Sequence, residues 1–432
     1  MRLAKPFIIH LPESFVIDLK EYLKENPPNY HYKVMYFFYI VHYLAYRMLT
    51  AKENETFIKI NMQKFKSITV SNIGKYITIL ENGYFLKVEN YVKGERSKGY
   101  RINKKYLLDK SIKEIAIDPK TNLFKKVLKY NINRKAHYSR MSEYLRLMNK
   151  EFMKLEFDSN SALQFIQNTK SDNFKNVIIH HVAVQHLQDK RLRYFSRSKS
   201  NNRLNTNLTS LWKELRPFIV GNYVSIDLKN SQPFFLSILI NTINNNNLQH
   251  TGIMYDILFR EVLKTFGIIS LKRILKNNQN QNKCNLVNLS LMFEQTKIGE
   301  FYEYLQTAIE GKSRDEIKKM VFQIYYSHND HYKENKKHFQ KVFPYIFEVI
   351  EILKRKKYKK LSIFMQQIES YIFIDCIAPE LVNSNIIPLT IHDSIIVKKQ
   401  HEAKALEIMK RVFIEQIGVV PTFEIENIKN PN

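Results

Sequence analysis

Two aspartates stand where a carboxylate is costly to bury. Asp227 follows Tyr223-Val224-Ser225-Ile226, and Asp393 follows His392 between the apolar runs Ile387-Pro388-Leu389-Thr390-Ile391 and Ser394-Ile395-Ile396-Val397. β-Branched surroundings predict that the first is delivered to a strand end and the second to the turn of a hairpin. Such a carboxylate must be paired or bind a metal, and two of them on neighbouring strands make a Mg2+ site. Between them, Arg314, Lys318, Phe322 and Tyr326 are each four residues apart. At 3.6 residues per turn, successive members drift by only about 40°, so all four share one helical face. Two cations followed by two aromatic rings can grip a triphosphate and then stack on a sugar and base, with Lys318 as the point charge and Arg314 as the forked donor.

Each feature also has an ordinary explanation. A lone aspartate is usually a turn or cap residue, a His-Asp pair between strands is often only a hairpin turn, and a cationic-aromatic stripe is usually a half-buried helix face. Their order along one chain is what argues for chemistry. Other signatures fail. Gly311-Lys312-Ser313 has Gln306 where a phosphate-binding loop needs its first glycine, and His180, His181 and His186 lack the spacing and glutamate of a zinc helix. No Gly-x-Ser-x-Gly elbow is present, and no acidic set in the N-terminal half suggests a proofreading exonuclease.

Asp227, then the Arg314-Lys318-Phe322-Tyr326 stripe, then His392-Asp393 resembles motifs A, B and C of the family A DNA polymerases and the single-subunit phage-type RNA polymerases. Asn202 to Leu211, with Arg203, resembles the Arg-Leu-rich segment that contacts the primer-template duplex. Glu300-Phe301-Tyr302-Glu303-Tyr304 is similar to the acidic-aromatic lead-in to motif B, and Gln366 or Gln367 matches the duplex-contacting glutamine. The resemblance covers residues 196 to 432. It implies an α+β, right-hand polymerase with an antiparallel palm sheet and helical fingers and thumb. Asp227 and Asp393 would bind two Mg2+ ions, or Mn2+, one activating the primer 3′-hydroxyl and the other neutralising the leaving pyrophosphate. Lys318 and Arg314 would hold the triphosphate, Phe322 would pack on the incoming nucleotide, Tyr326 would lie beside the template base and His392 near the primer end.

The chain departs from the pattern in places. Gln232 occupies the motif A position where the DNA enzymes carry a ribose-excluding Glu, Ser394 follows the His-Asp pair as in the RNA enzymes, and Ser327 replaces the usual Gly after Tyr326; Phe322 favours the DNA enzymes. The expected activity is DNA-directed DNA synthesis without proofreading, on nucleoside triphosphates and a primer-template duplex. The alternatives are an RNA polymerase or primase-like enzyme, and a non-enzymatic DNA-binding replication initiator or regulator.

These residues need a scaffold to position them. The 432 residues, 44% apolar and 25% charged, predict a folded chain of two or three domains. A net charge of +27 predicts a polyanionic partner, although abundant Asn, Lys, Ile and Tyr beside 10 Gly point to an AT-rich coding bias that itself inflates lysine. That bias, with the modest size, suits a phage, plasmid or mobile element. Residues 61 to 66 read as a short helix or turn, 70 to 80 as a helix, and 84 to 91 with 98 to 102 as a basic hairpin. This resembles a winged helix-turn-helix domain, with Ser71, Asn72 and Lys75 facing a DNA groove and Lys93, Arg96 and Lys98 on the wing. The expected division is a winged-helix-like domain over 1–110, a helical, thumb-like connection over 111–195, and palm and fingers over 196–432, with the fingers at 240–335. The run Asp189 to Lys199 mixes cations with aromatics, so Arg191, Arg193 and Arg197 are expected on the primer-template. Cys284 and Cys376 are too far apart in sequence to suggest a disulfide or zinc framework, and the start of the chain lacks the apolar core of a signal peptide. Val34 to Leu49 is interrupted by His42 and Arg47 and reads as a buried helix, leaving a cytoplasmic protein with no membrane partner.

Overall fold

Alternating apolar residues build β1 (Phe7–Pro12), which pairs antiparallel with β5 (Ile112–Ile117) and so closes the N-terminal quarter of the chain on itself. The computed structural model describes residues 5–48, 57–91, 98–135, 141–169, 177–244, 254–280 and 282–428. Between the paired strands lie α1 (Glu13–Glu25), α2 (Val34–Met48), β2 (Ile58–Lys59), α3 (Met62–Ile68), α4 (Ile73–Asn82), β3 (Leu86–Glu89), β4 (Gly99–Ile102) and α5 (Lys104–Leu107). The apolar run of α2 is a buried helix, as its interruptions predict: ten consecutive residues, Phe37 to Tyr46, are sequestered. β2, β4 and β3 form a three-stranded antiparallel sheet in that order.

Four helices follow, α6 (Asn122–Lys135), α7 (Glu143–Lys154), α8 (Ser159–Asn168) and α9 (Val177–Gln188). The last is buried on most of its surface, with His181 and Gln185 among its sequestered residues. Ile178, Ile179 and Val182 join a core that otherwise runs from Phe7 to Val127 and includes Leu192, while Val177, Ala183, Val184 and Leu187 join a second core extending to Ile428. The connection between the two parts is therefore a shared structural member.

The second core surrounds a four-stranded antiparallel sheet. The hairpin β6 (Phe195–Arg197) and β7 (Leu204–Thr206) leads to β8 (Tyr223–Leu228), and a long helical insertion follows before the sheet resumes, beginning with α10 (Ser231–Asn244), α11 (Met254–Phe266), α12 (Ile268–Asn280), α13 (Asn282–Ile298), α14 (Phe301–Ala308) and α15 (Arg314–Tyr326). Then come α16 (Lys333–Val342), α17 (Pro344–Lys354), α18 (Lys359–Ser370), a π-helical turn over Tyr371–Ile377, and α19 (Ala378–Asn383). β9 (Leu389–Ile391) and β10 (Ser394–Lys398) form a hairpin, and α20 (Glu402–Ile417) leads to β11 (Phe423–Ile428). The strand order is β11-β8-β10-β9, which places β8 at the centre beside β10. Among the described residues, no helix is long and apolar enough to cross a membrane.

Candidate active site

The central strand pair brings the two aspartates together. Asp227 on β8 lies opposite Ser394 on β10, and Asp393 occupies the turn immediately before it. The Leu228 amide donates to the Asp393 carbonyl at 3.3 Å, tying the turn to the neighbouring strand. His392, the other turn residue, has φ 54°, a left-handed conformation that a two-residue hairpin connection demands. The carboxylates sense each other. Burial, then the charge of Asp393, then Glu424 and Glu426 lift Asp227 far above the ordinary carboxylate range, against the pull of Arg216. Burial also raises Asp393, opposed by its own backbone amide, Arg203, Ser231 and Lys318.

That last influence sets α15 opposite the aspartates. A capping box between Ser313 and Glu316 starts the helix, and Ile317, Met320, Val321, Ile324 and Tyr325 bury its other side. Arg314 and Lys318 are exposed, while Phe322 and Tyr326 are half-buried. The Arg314 Nε donates to Glu303 Oε1 at 2.6 Å, and its guanidinium lies 5.7 Å from the Tyr302 ring centroid. Both partners of this ion pair are about half exposed, so it is weak enough to exchange for a bound anion.

Beneath the stripe is a polar cluster that joins Tyr326, Gln232 and Arg203, each singled out in the sequence, to Ser231 and Glu369, which were not. Tyr326 Oη donates to Gln232 Oε1 at 2.9 Å, Gln232 Nε2 donates to Glu369 Oε2 at 2.5 Å, and Ser231 Oγ donates to the same oxygen at 3.1 Å. Arg203 Nη2 pairs with Glu369 Oε1 at 2.5 Å. Glu369 has no solvent exposure, and burial together with the charge of Asp393 pushes its carboxyl up to about 7, against Arg203 and Ser231. One carboxylate thus joins the segment before β8, the start of α10 and the end of α15. A charged residue in the apolar stretch Ile368-Glu369-Ser370-Tyr371-Ile372 was the available signal. Arg216, close enough to Asp227 and Asp393 to lower the charge repulsion, had none.

His392 is held neutral at ordinary pH, its ring pushed down to about 4 by burial and by Arg203 and Arg216. Gln366 Oε1 accepts from Asn201 Nδ2 at 2.9 Å, and Gln367 Nε2 donates to the Ser200 carbonyl at 2.8 Å, docking the β6–β7 turn on α18. Of the arginines expected on the primer-template, Arg193 requires correction, and all three have partners within the protein. Arg193 is 3% exposed and donates to the carbonyls of Leu187 and Phe152 at 2.6 and 2.9 Å. Arg191 pairs with Asp189, caps the Pro6 carbonyl at 2.9 Å and stacks 4.2 Å from the Phe7 ring centroid. Arg197 forks onto Asp375 in the π-helical turn, which Tyr144 also contacts, and donates to the Asn202 carbonyl. All three guanidiniums hold the fold together. In the N-terminal part, Ser71, Asn72 and Lys75 are exposed at the start of α4, with Lys75 4.9 Å from the Tyr30 ring centroid, and Lys98 is half-buried before β4. Lys93 and Arg96 lie outside the described residues.

Among the described residues, no group of three or more His, Cys, Asp and Glu is arranged to hold a metal ion. The Asp227 and Asp393 pair nonetheless fits Mg2+: two hard oxygen donors, mutually repelling and desolvated, suit an ion that takes one or two carboxylates and completes its shell with water and substrate phosphates.

No family model and no curated protein matches the chain. Among solved structures it is similar to the POL domain of Pol1 from M. smegmatis in complex with DNA primer-template and dNTP, at 9% identity and a TM-score of 0.34. The similarity covers 63% of this chain and 55% of that one, so the chain spans little more than half of that neighbour.

Proposed function

We propose that the chain is a template-directed nucleotidyltransferase, a DNA-directed DNA polymerase without proofreading, whose palm is the β11-β8-β10-β9 sheet and whose fingers include α15. The observation that carries this reading is the convergence of Asp227, on β8, and Asp393, in the turn that enters the neighbouring β10, with Lys318 within electrostatic reach of Asp393. Two Mg2+ ions held by these carboxylates would activate the primer 3′-hydroxyl and neutralise the leaving pyrophosphate. Lys318 and Arg314 bind the triphosphate, Arg314 by releasing Glu303. Phe322 supports the nucleotide, and Tyr326, held by Gln232, fixes the end of the stripe. Neutral His392 donates or accepts a hydrogen bond near the primer end without adding charge. Ser394, beside the catalytic pair, is bonded to Ser225 Oγ within the sheet. The N-terminal module, helix, strand, two helices and a strand pair, suits a winged-helix-like reader of duplex DNA through Ser71, Asn72, Lys75 and Lys98.

The test is Mg2+-dependent primer extension with dNTPs and, separately, with NTPs. Extension with dNTPs is expected; extension confined to NTPs transfers the proposal to RNA synthesis. Asp393→Asn abolishes extension while leaving duplex binding largely intact, and an equally active variant refutes the metal assignment.

A further inference from the structure

The N-terminal module carries a second basic surface, at the opposite end of α4 from Ser71 and Asn72. Tyr84 follows that ten-residue helix, which separates the two ends by about 15 Å. Its ring is 81% exposed on a backbone with φ 58°, a conformation uncommon for a bulky side chain and informative where it persists. The turn is held on both sides. The Tyr84 amide donates to the Glu81 carbonyl at 3.0 Å, and Asn103 Nδ2 donates to the Tyr84 carbonyl at 2.9 Å. The ring is therefore projected from a fixed base.

Beside it opens a groove of about 650 Å³ with Leu86 and Ile102 in its floor and Lys87, Arg101 and Lys104 along its rim. Lys87 and Arg101 face each other across the β3–β4 ladder, and both are exposed. Like charges directly opposite on a strand pair destabilise it unless an anion lies between them. The Arg101 guanidinium is steadied 4.9 Å from the Phe57 ring centroid, and neither Lys87 nor Lys104 has an ion-pair partner among the described residues. Glu81 is the acidic residue of the lining, leaving the cations in excess.

We propose that this groove binds single-stranded nucleic acid, one base stacked on Tyr84 and the flanking phosphates on Lys87, Arg101 and Lys104. A projecting ring amid unpaired cations fits an unstacked base and its backbone. A paired duplex presents no free base face to such a ring, and an acidic peptide would satisfy the cations while leaving the ring unused. The inference is independent of the polymerase reading and stands if that reading fails.

The experiment uses the full chain with its polymerase-like cleft occupied by saturating unlabelled primer-template. Fluorescence anisotropy with labelled oligo-dT and oligo-rU of about 12 nucleotides reads affinity, and an oligo-dT carrying 5-iodouracil reads position by photocrosslinking. The expected crosslink lies on the peptide containing Tyr84. Tyr84→Ala weakens single-strand binding by about 5- to 100-fold, the range of one lost stacking contact, and Tyr84→Phe retains it. The Lys87→Glu/Arg101→Glu double variant weakens binding and flattens its salt dependence, with duplex binding unchanged. Tyr84→Ala binding and crosslinking like wild type overturns the proposal. So does equal loss of duplex binding, or competition by polyglutamate as strong as by the oligonucleotide, which would assign the groove to an acidic polypeptide.

Discussion

Asp227 and Asp393 are held where ionisation is disfavoured, by burial and by their proximity. A carboxyl whose folded pKa is raised retains a proton that the unfolded chain has released, so stability declines as pH rises from the unfolded value through the folded one. At pH 8, in metal-free buffer, Asp227→Asn and Asp393→Asn are therefore expected to melt a few degrees above wild type, about 2–4 °C per kcal/mol for cores of this size. Mg2+ should raise the melting temperature of wild type and not of the variants. Scanning calorimetry with and without chelator decides it; amide variants that melt lower sink the idea. Glu369 is raised in the same direction, to about 7, but its carboxyl also holds the Arg203 guanidinium, the Gln232 amide and the Ser231 hydroxyl. Glu369→Ala leaves the Arg203 guanidinium and the Gln232 amide without their acceptor and is expected to cost about 3–5 kcal/mol in urea unfolding. A loss below about 1 kcal/mol would mean that the cluster rearranges freely around the gap.

Elements are positioned by such contacts as much as by their own periodicity. The end of α15 leaves carbonyls with no partner in the helix, and the buried Lys354 Nζ donates to that of Ile324 at 2.5 Å; just beyond the helix, the buried Lys336 Nζ donates to the His328 and Asn329 carbonyls at 2.5 and 2.9 Å. Burial and the charge of Lys336 push Lys354 down to about 7, against Glu351. A lysine depressed in the fold binds fewer protons there than when unfolded, so its contribution to stability rises between pH 7 and the unfolded value of 10.5. Urea unfolding at pH 7, 8.5 and 10 should show this rise in wild type and lose it in Lys354→Met; an unchanged slope in the variant would remove Lys354 as its source. The helix itself was legible, because its four-residue spacing is local, and so was the β9–β10 hairpin with its His392-Asp393 turn. α3, α4, β3 and β4 also fall where the pattern puts them. The Lys354 cap and the partners of Glu369 were not legible, since they come from groups distant in sequence, and the π-helical turn carries no pattern that separates it from an α-helix. The internal partners of Arg191, Arg193 and Arg197 were not legible either: a basic-aromatic run looks alike whether its guanidiniums meet phosphates or the protein's own carbonyls.

The two cores meet at α9, and the junction is lined with histidines. His10 of β1, His42 of α2, and His180 and His181 of α9 are pushed down to about 3 to 4, chiefly by burial, with mutual repulsion adding to His10 and His181. The His10 and His181 ring centroids are 5.6 Å apart, and His10 Nδ1 and His181 Nε2 are buried without a hydrogen-bond partner. Other groups face the same junction. His42 Nδ1 lies 3.3 Å from the His10 carbonyl, Gln185 donates to the Ile8 carbonyl, His186 stacks on Tyr46, and the Glu114 carboxylate is 3.9 Å from His10 Nε2. A water-sized cavity of about 30 Å³ lies among His42, Tyr43, Tyr46 and Gln185, too small to hydrate several imidazolium rings. The unfolded chain protonates these histidines near 6.5 and the folded chain only near 3 to 4. The stability they provide is therefore complete above pH 6.5 and is lost as pH falls toward 4. Near pH 5 the unfolding free energy should fall by on the order of 5 kcal/mol per pH unit, the slope for uptake of about four protons. His10→Gln with His181→Leu should remove about half of it. Urea unfolding between pH 7.5 and 5, followed by near-ultraviolet circular dichroism, measures that slope. If it stays below about one proton in wild type, or is untouched by the double substitution, water already reaches the junction and α9 does not seal one core against the other.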